Sequence, residues 1–503
     1  MNVLLVNPKF PETFWSFTYA LSFIGKKSAF PPLGLLTVAA MLPDEWNKRL
    51  VDLNTQSLSN ESLLWADMVL LTGMAVQRAS ARNIIHRCRL MQVKVVAGGP
   101  LFSSEPEAFP EVDHLVLDEA EMTLPAFLSD LMAGKAKKTY RALDFCNLNT
   151  IPVPLWELIQ TRQYASMNIQ FSRGCPYNCE FCNVTALFGR RSRTKTPQQI
   201  TTELDHIYAT GWRGSIFFVD DNFIGNKGFL KTRLLPSLIE WRKGKKGCVF
   251  FTESSINLAD DPELMELMVQ AGFDSVFIGI ESPDETSLTE CQKHQNTNRN
   301  LLESVKRIHR SGLQVMGGFI VGFDSDLPSI FQRQIDFIQN SGIVIAMVGM
   351  LQAPPGTRLF ERLKEESRIV LLFSGDNVDG TTNIIPQMGL ENLLGGYTSI
   401  MKHIYSPRNY YRRVRTLLRE LKAPKSTMPL NMQRFLSFFR AGFRLGVLGK
   451  ERFYYWHLLL WTLTRRPSQI ALAITLSIYG YHYRKICELY IDTDRCGYQE
   501  QGN

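Results

Sequence analysis

The sequence predicts an α/β protein in three parts: an amino-terminal doubly wound (Rossmann-like) sheet, a central partial (βα)6 barrel of the TIM type, and a mainly helical carboxyl-terminal domain. Three observations carry this. Short apolar runs alternate with helical stretches between residues 3 and 117, a second series of apolar runs extends from 167 to 348, and beyond about 376 that rhythm stops. Continuous apolar strands alternating with helices imply parallel sheets covered by helices. The expected divisions are residues 1–140, a linker 141–164, then 165–375 and 376–503.

In the first part, strands are expected at 3–6, 49–51, 68–72, 93–97 and 114–117, with helical stretches such as 77–91 between them. Open sheets of this kind bind ligands beyond the carboxyl ends of their strands, where glycine lets the backbone approach closely. The candidates there are Thr72-Gly73-Met74, Gly98-Gly99-Pro100 and the acidic run Asp118-Glu119-Ala120-Glu121. No Gly-x-Gly-x-x-Gly is present, which argues against an ordinary dinucleotide site and leaves a purely structural sheet as the alternative.

In the second part, strands are expected at 167–171, 215–219, 248–252, 275–278, 314–320 and 343–348, four of them preceded by Gly211, Gly272, Gly312 or Gly342. Glycine accepts the left-handed conformation that closes a helix. Ligand groups in such barrels sit at the carboxyl ends of strands. There the chain places a cysteine loop, Asp220-Asp221-Asn222-Phe223, Glu253-Ser254-Ser255, Glu281-Ser282, Gly322 and Gln352. One such carboxylate alone is more often a helix cap. As a set behind a cysteine loop, they point to a binding site.

That loop reads Phe171-Ser-Arg-Gly-Cys175-Pro-Tyr-Asn-Cys179-Glu-Phe-Cys182. Three thiolates spaced Cys-x3-Cys-x2-Cys can hold three irons of a four-iron cluster and leave the fourth open. A zinc knuckle needs a fourth Cys or His close by. No histidine lies between His114 and His206, and the nearest other cysteines are Cys146 and Cys248. Cys88, Cys146, Cys248, Cys291, Cys487 and Cys496 read as isolated, small buried hydrophobes that the cluster does not require.

The third part is helical, aromatic and basic. Residues 401–450 hold twelve Lys and Arg against one acid, Glu420, a local charge of +11 in a chain of net +8. That reads either as a solvated helix face or as attraction to anionic lipid or an acidic substrate. The apolar runs 453–463 and 469–480, separated by Arg465-Arg466-Pro467, are too short for a bilayer span of roughly 20 residues. They suit core helices or an interfacial hairpin.

The cysteine motif resembles the radical S-adenosylmethionine (radical SAM) family. The resemblance implies a 4Fe-4S cluster on Cys175, Cys179 and Cys182, with SAM on the open iron as the source of a 5'-deoxyadenosyl radical. It further implies Phe181 against the adenine, Asp220 or Asp221 at the SAM amino group, and Glu281 with Ser282 near the ribose. The first 140 residues, with Pro31-Pro-Leu-Gly-Leu-Leu36 and the Gly-Gly-Pro turn, resemble the cobalamin-binding domain of B12-dependent radical SAM enzymes, which implies Thr72, Gly73, Gly98, Gly99, Pro100, Glu119 and Glu121 as cobalamin contacts. The acidic run departs from the more usual Gly-Glu-Gly-Glu. An Asp-x-His-x-x-Gly segment is absent, so the expectation is cobalamin without a protein histidine below the cobalt. The carboxyl-terminal segment, with Ile404-Tyr-Ser-Pro-Arg-Asn-Tyr-Tyr-Arg-Arg413, resembles a domain of uncharacterised function that follows radical SAM barrels in a group including the hopanoid C-2 methylases.

The resemblance therefore implies an enzyme, a methyltransferase acting on an unactivated carbon of a hydrophobic small molecule, with a flavodoxin or ferredoxin as electron donor. A B12-dependent cyclase or ring-rearranging enzyme would use the same cofactors. A tRNA-modifying protein and a non-catalytic cobalamin sensor are further alternatives, although no RNA-binding module is recognisable. The hydrophobic content of 45% over 503 residues suits globular domains. Nine cysteines without a disulfide pattern, and a start at Met1-Asn-Val-Leu-Leu-Val-Asn7 without a basic leader, suggest the reducing cytoplasm, with peripheral membrane contact through the third part as an option.

Overall fold

The computed structural model describes residues 1–376, 378–422 and 432–491. Cys496 and part of the basic segment 401–450 lie outside those residues.

The amino-terminal sheet contains β1 (Asn2–Asn7), β2 (Asn47–Asp52), β3 (Met68–Leu71), β4 (Lys94–Gly98), β5 (His114–Val116) and β6 (Thr139–Tyr140), the last not foreseen from sequence. All pairings are parallel in the order β2-β1-β3-β4-β5-β6, with Val3 opposite both Lys48 and Met68. Because connections leave in opposite directions from β1 and β3, a crevice opens at their carboxyl ends, the usual ligand position in open sheets.

The second sheet comprises β7 (Ser166–Ile169), β10 (Ser215–Phe218), β11 (Val249–Ser254), β12 (Phe273–Glu281), β13 (Gln314–Val321) and β14 (Ala346–Met350), again wholly parallel and in chain order, as a six-stranded partial barrel requires. Between β7 and β10, two-residue strands β8 (Ser172–Arg173) and β9 (Arg193–Thr194) pair antiparallel and close the neck of the cysteine loop. Gly174 begins that loop at φ +89, where a Cβ would lie 2.6 Å from the Arg191 carbonyl oxygen. Only glycine fits such a turn without strain.

The helical part consists mainly of Leu390–Tyr405, Pro407–Glu420, Met432–Phe443, Arg452–Arg465 and Ile470–Tyr490. It joins the other two parts. The His482 ring is 3.0 Å from the Phe14 carbonyl, and Tyr483 stacks on Phe14 at 4.2 Å. These contacts hold the stretch that follows β1 against the barrel, where Trp15 meets Phe277 at 5.3 Å and, beyond the helix Thr18–Ile24, Phe30 meets Phe217 at 5.4 Å. Arg413 secures the base. It is 0% exposed and donates to Gln339 Oε1 (2.6 Å), the Ile404 carbonyl (2.8 Å) and the Val344 carbonyl (3.2 Å), between the Tyr405 and Tyr410 rings.

Arg413→Ala would orphan those acceptors and leave a cavity, costing about 3 kcal/mol. The expected outcome is an earlier urea midpoint for the helical part, whereas an unchanged midpoint would mean that Arg413 does not hold the domains together.

Candidate functional site

The cysteine loop is positioned by charge. Asp220, at the end of β10, accepts from the Phe171 amide (3.1 Å) and from the amide and hydroxyl of Ser172, so both its oxygens hold the strand that leads into the loop. On the other side, Arg173 donates to Glu119 (3.0 Å) and Glu121 (2.7 Å), while Arg193 donates to both oxygens of Glu119 (3.0 Å each). Burial works against the Glu119 carboxylate, yet Arg193, the Cys146 amide and Arg173 hold it below its ordinary range.

Within the loop, the three thiols lie near enough to interact electrostatically. Burial pushes Cys175 up and raises Cys182 to about 12, and in each case the neighbouring Cys179 adds to the rise. Such thiols become thiolates when metal displaces their protons. Asn222 Nδ2 points at Cys175 Sγ (3.9 Å) and Gln295 Nε2 at Cys179 Sγ (3.7 Å), supplying donors to charged sulfur. Among the described residues, no three His, Cys, Asp or Glu side chains converge to hold a single metal ion.

Two charge patterns surround the loop. Glu281 follows a register shift at the end of β12, is 6% exposed, and has φ +61. Its Oε1 accepts from Lys293 Nζ at 2.8 Å, and Lys293 lies over Phe181 at 5.9 Å. Burial would lower the Lys293 ammonium, but Glu281 and the thiols of Cys179 and Cys182 raise it well above its usual range. The second pattern is less fully compensated, with Arg173 acting on Asp221 and Lys293 on Glu253 from a distance. Burial raises Asp221 to about 6 and Glu253 to about 8, the latter aided by repulsion from Asp221 and Asp220. Asp221 accepts a long bond from the Gly174 amide (3.4 Å), and neither carboxylate forms an ion pair among the described residues. A pair of this kind suits a positively charged ligand group.

A cavity of about 2510 Å³ lies between the three parts of the chain. Ordinary small-molecule pockets occupy about 300–1,000 Å³, so this one has room for more than one ligand. From the first sheet it is lined by Asn7, Thr72, Gly73 and Pro100, and from the barrel by Phe217, Phe251, Glu253 and Phe277. The three cysteines, Asp221 and Glu281 do not line it; Glu253 connects it to their neighbourhood.

Several expected contacts are otherwise engaged. Glu119 and Glu121 spend their carboxylates on the two arginines, and Asp220 spends its own on the cysteine loop. The Ser282 hydroxyl accepts from the Asp284 amide at 3.1 Å and is fully buried. Gly98 and Gly99 pack behind the crevice: a Cβ on Gly99, at φ +90, would be 2.5 Å from Thr72 Oγ1. Phe181 lies 6.3 Å from Phe323. His86 is exposed on a helix, and His114 starts β5 with Nδ1 2.7 Å from the Lys137 carbonyl, at the opposite end from the crevice. No histidine is among the residues lining the cavity. Sequence reasoning missed Arg173, Arg193 and Lys293. Arg173, next to Gly174 at the loop's entry, offered the one available signal.

Comparison with known proteins agrees with this architecture. Residues 26–128 match the B12 binding domain, 169–337 the radical SAM superfamily, and 357–495 a domain of unknown function, DUF4070. An uncharacterised methyltransferase of Synechocystis sp. is 40% identical over 97% of this chain and 92% of its own. The hopanoid C-2 methylase of Rhodopseudomonas palustris is 34% identical over 92% and 90%. The methyltransferase TsrM from Kitasatospora setae, with cobalamin and a [4Fe-4S] cluster bound, superposes with a TM-score of 0.61 at 15% identity, over 96% of this chain and 99% of that one.

Glu253 yields a pH test. Its folded value, about 8, lies above the ordinary 4.5, so its favourable contribution is complete below about pH 4.5 and is lost as pH rises through about 8. In cofactor-free protein, Glu253→Gln is expected to reduce the fall in melting temperature across that window. An undiminished slope would show that Glu253 does not titrate as a desolvated acid.

Proposed function

This chain belongs to the radical SAM enzymes that carry an amino-terminal B12-binding domain and a carboxyl-terminal DUF4070 domain, the family of the hopanoid C-2 methylase, and on that basis we propose that it methylates an unactivated carbon of a hydrophobic, lipid-like small molecule. The family membership makes it a cobalamin-dependent enzyme using a 4Fe-4S cluster and SAM. The observation that carries the finer reading is a large cavity lined from both the crevice of the first sheet and the barrel, walled by Phe217, Phe251 and Phe277.

When bound, the cluster and SAM supply a carbon-centred radical that can take hydrogen from an unreactive carbon, and cobalamin supplies the methyl group. Cys175, Cys179 and Cys182 would hold the cluster, with Asn222 and Gln295 donating to two of the sulfurs. Asp221 and Glu253 would receive the SAM ammonium, whose charge offsets theirs. Glu281, oriented by Lys293, would meet the ribose, and Phe181 would flank the adenine. Thr72, Gly73 and Pro100 would face the corrin, with Gly98 and Gly99 shaping the crevice from behind. The aromatic barrel wall excludes water and favours an apolar substrate.

The reading includes a small acidic electron donor, a flavodoxin or ferredoxin, for which exposed Arg190 and Arg191 on the cysteine loop offer positive charge, and a cytoplasmic setting. No helix among the described residues is long and apolar enough to cross a membrane.

Anaerobic incubation of the reconstituted enzyme with lipid extract and trideuteromethyl-SAM should yield a product in which one hydrogen is replaced by a trideuteromethyl group. A product of unchanged formula would replace methyl transfer with cyclisation or rearrangement.

A further inference from the structure

The exposed large apolar side chains are unevenly distributed. Of the twenty-five among the described residues, twelve fall between residues 435 and 463, so the chain has one concentrated apolar face rather than scattered single residues. On the helix Arg452–Arg465, Phe453, Trp456, Leu460 and Leu463 recur at spacings of three and four and lie on one face, while Tyr455, Leu458, Leu459 and Thr462 on the other are buried. Phe453 is 73% exposed, Leu460 64% and Leu463 61%. Trp456 Nε1 donates to the Gly446 carbonyl at 2.9 Å, which ties this stripe to the turn following the helix Met432–Phe443. On that helix Phe439 packs edge-on against Phe435 (4.8 Å) and Phe438 (5.5 Å).

The charge on this face selects its partner. Residues 435–466 contain six basic residues at exposed positions: Lys450, Arg452, Arg465 and Arg466, together with Arg440 and Arg444, whose guanidinium groups reach the Phe23 carbonyl and the Ser22 hydroxyl. Their only acid, Glu451, is 4% exposed and paired with Arg484. Aromatic and aliphatic side chains flanked by Lys and Arg form the surface that settles into the headgroup layer of an anionic bilayer. Phe435 and Phe438 also line the cavity while remaining 57% and 42% exposed, so the cavity wall and the apolar face share one helix.

We propose that helices Met432–Phe443 and Arg452–Arg465 dock this protein on an anionic lipid surface and that the cavity opens toward that surface beside Phe435 and Phe438. The route for substrate rests on the lipid-like substrate proposed above; the docking itself does not. Because none of the described helices spans a bilayer, the association is peripheral and reversible.

Flotation of the full-length, cluster-loaded protein tests this, using vesicles of equal parts phosphatidylglycerol and phosphatidylcholine and vesicles of phosphatidylcholine alone. The protein should float with the anionic vesicles and much less with the neutral ones. Combined Phe453→Ser, Leu460→Ser and Leu463→Ser should weaken anionic-vesicle binding at least about ten-fold. Paired Lys450→Glu and Arg452→Glu should weaken it while removing much of its salt dependence. Iron content and SAM binding, unchanged in both variants, certify the fold. Failure of the wild-type protein to float, or equal flotation of the serine variant, would overturn the proposal. So would concentration-dependent dimers that the serine variant abolishes, which would assign the face to a second copy. Flotation needs no turnover: an enzyme that floats but transfers no methyl contradicts the proposed function, and one that methylates without floating contradicts the docking.

Discussion

The buried cluster of Arg173, Arg193, Glu119 and Glu121 is the constraint on which the arrangement of the parts depends. Two acids from the first sheet meet two bases from the neck of the cysteine loop, and the four are nearly excluded from solvent. Taking these charges out of water is costly, and their mutual hydrogen bonds offset that cost only while all four are present; removing one member of such a set typically costs 3–5 kcal/mol. Arg193 also donates to the Cys146 carbonyl, so the connecting segment is drawn into the same contact. The cluster therefore fixes where the cysteine loop stands relative to the crevice at β1 and β3. Asp220 fixes the other flank of the loop from within the barrel.

The charges nearer the reaction space have a different character. Lys293 and Glu281 satisfy one another beside the thiols, whereas Asp221 and Glu253 repel one another and form no ion pair among the described residues. The apolar remainder of the cavity is supplied by strand positions alternating with core positions, as Phe217 and Phe251 show by facing inward beside buried Phe218 and Phe250.

Much of this was legible in the sequence because parallel strands write themselves as apolar runs. The runs at 68–72 and 93–97 correspond to β3 and β4, and those at 215–219 and 314–320 to β10 and β13, with boundaries shifted by a residue or two. The pair β8 and β9 left no such trace, since Ser172-Arg173 and Arg193-Thr194 are polar and pair for only two residues. Sequence alone could place Glu119, Glu121 and Asp220 at strand ends. Whether each serves a ligand or a loop is decided by partners 48 to 74 residues away, such as Ser172, Arg173 and Arg193, which no local pattern specifies. Lys293 is hidden for the same reason, because its importance comes from the fold bringing it to Glu281 and the thiols.

A pulsed electron paramagnetic resonance measurement of the distance between cob(II)alamin and the reduced cluster tests the central claim most directly. With the charge cluster intact, the two centres should show one narrow distance distribution. In the Glu119→Gln, Glu121→Gln variant, iron and cobalamin should still bind, each in its own part of the chain, while the distribution broadens. An equally narrow distribution at the same distance in that variant would contradict the claim that these four charges set the geometry between the two halves of the site.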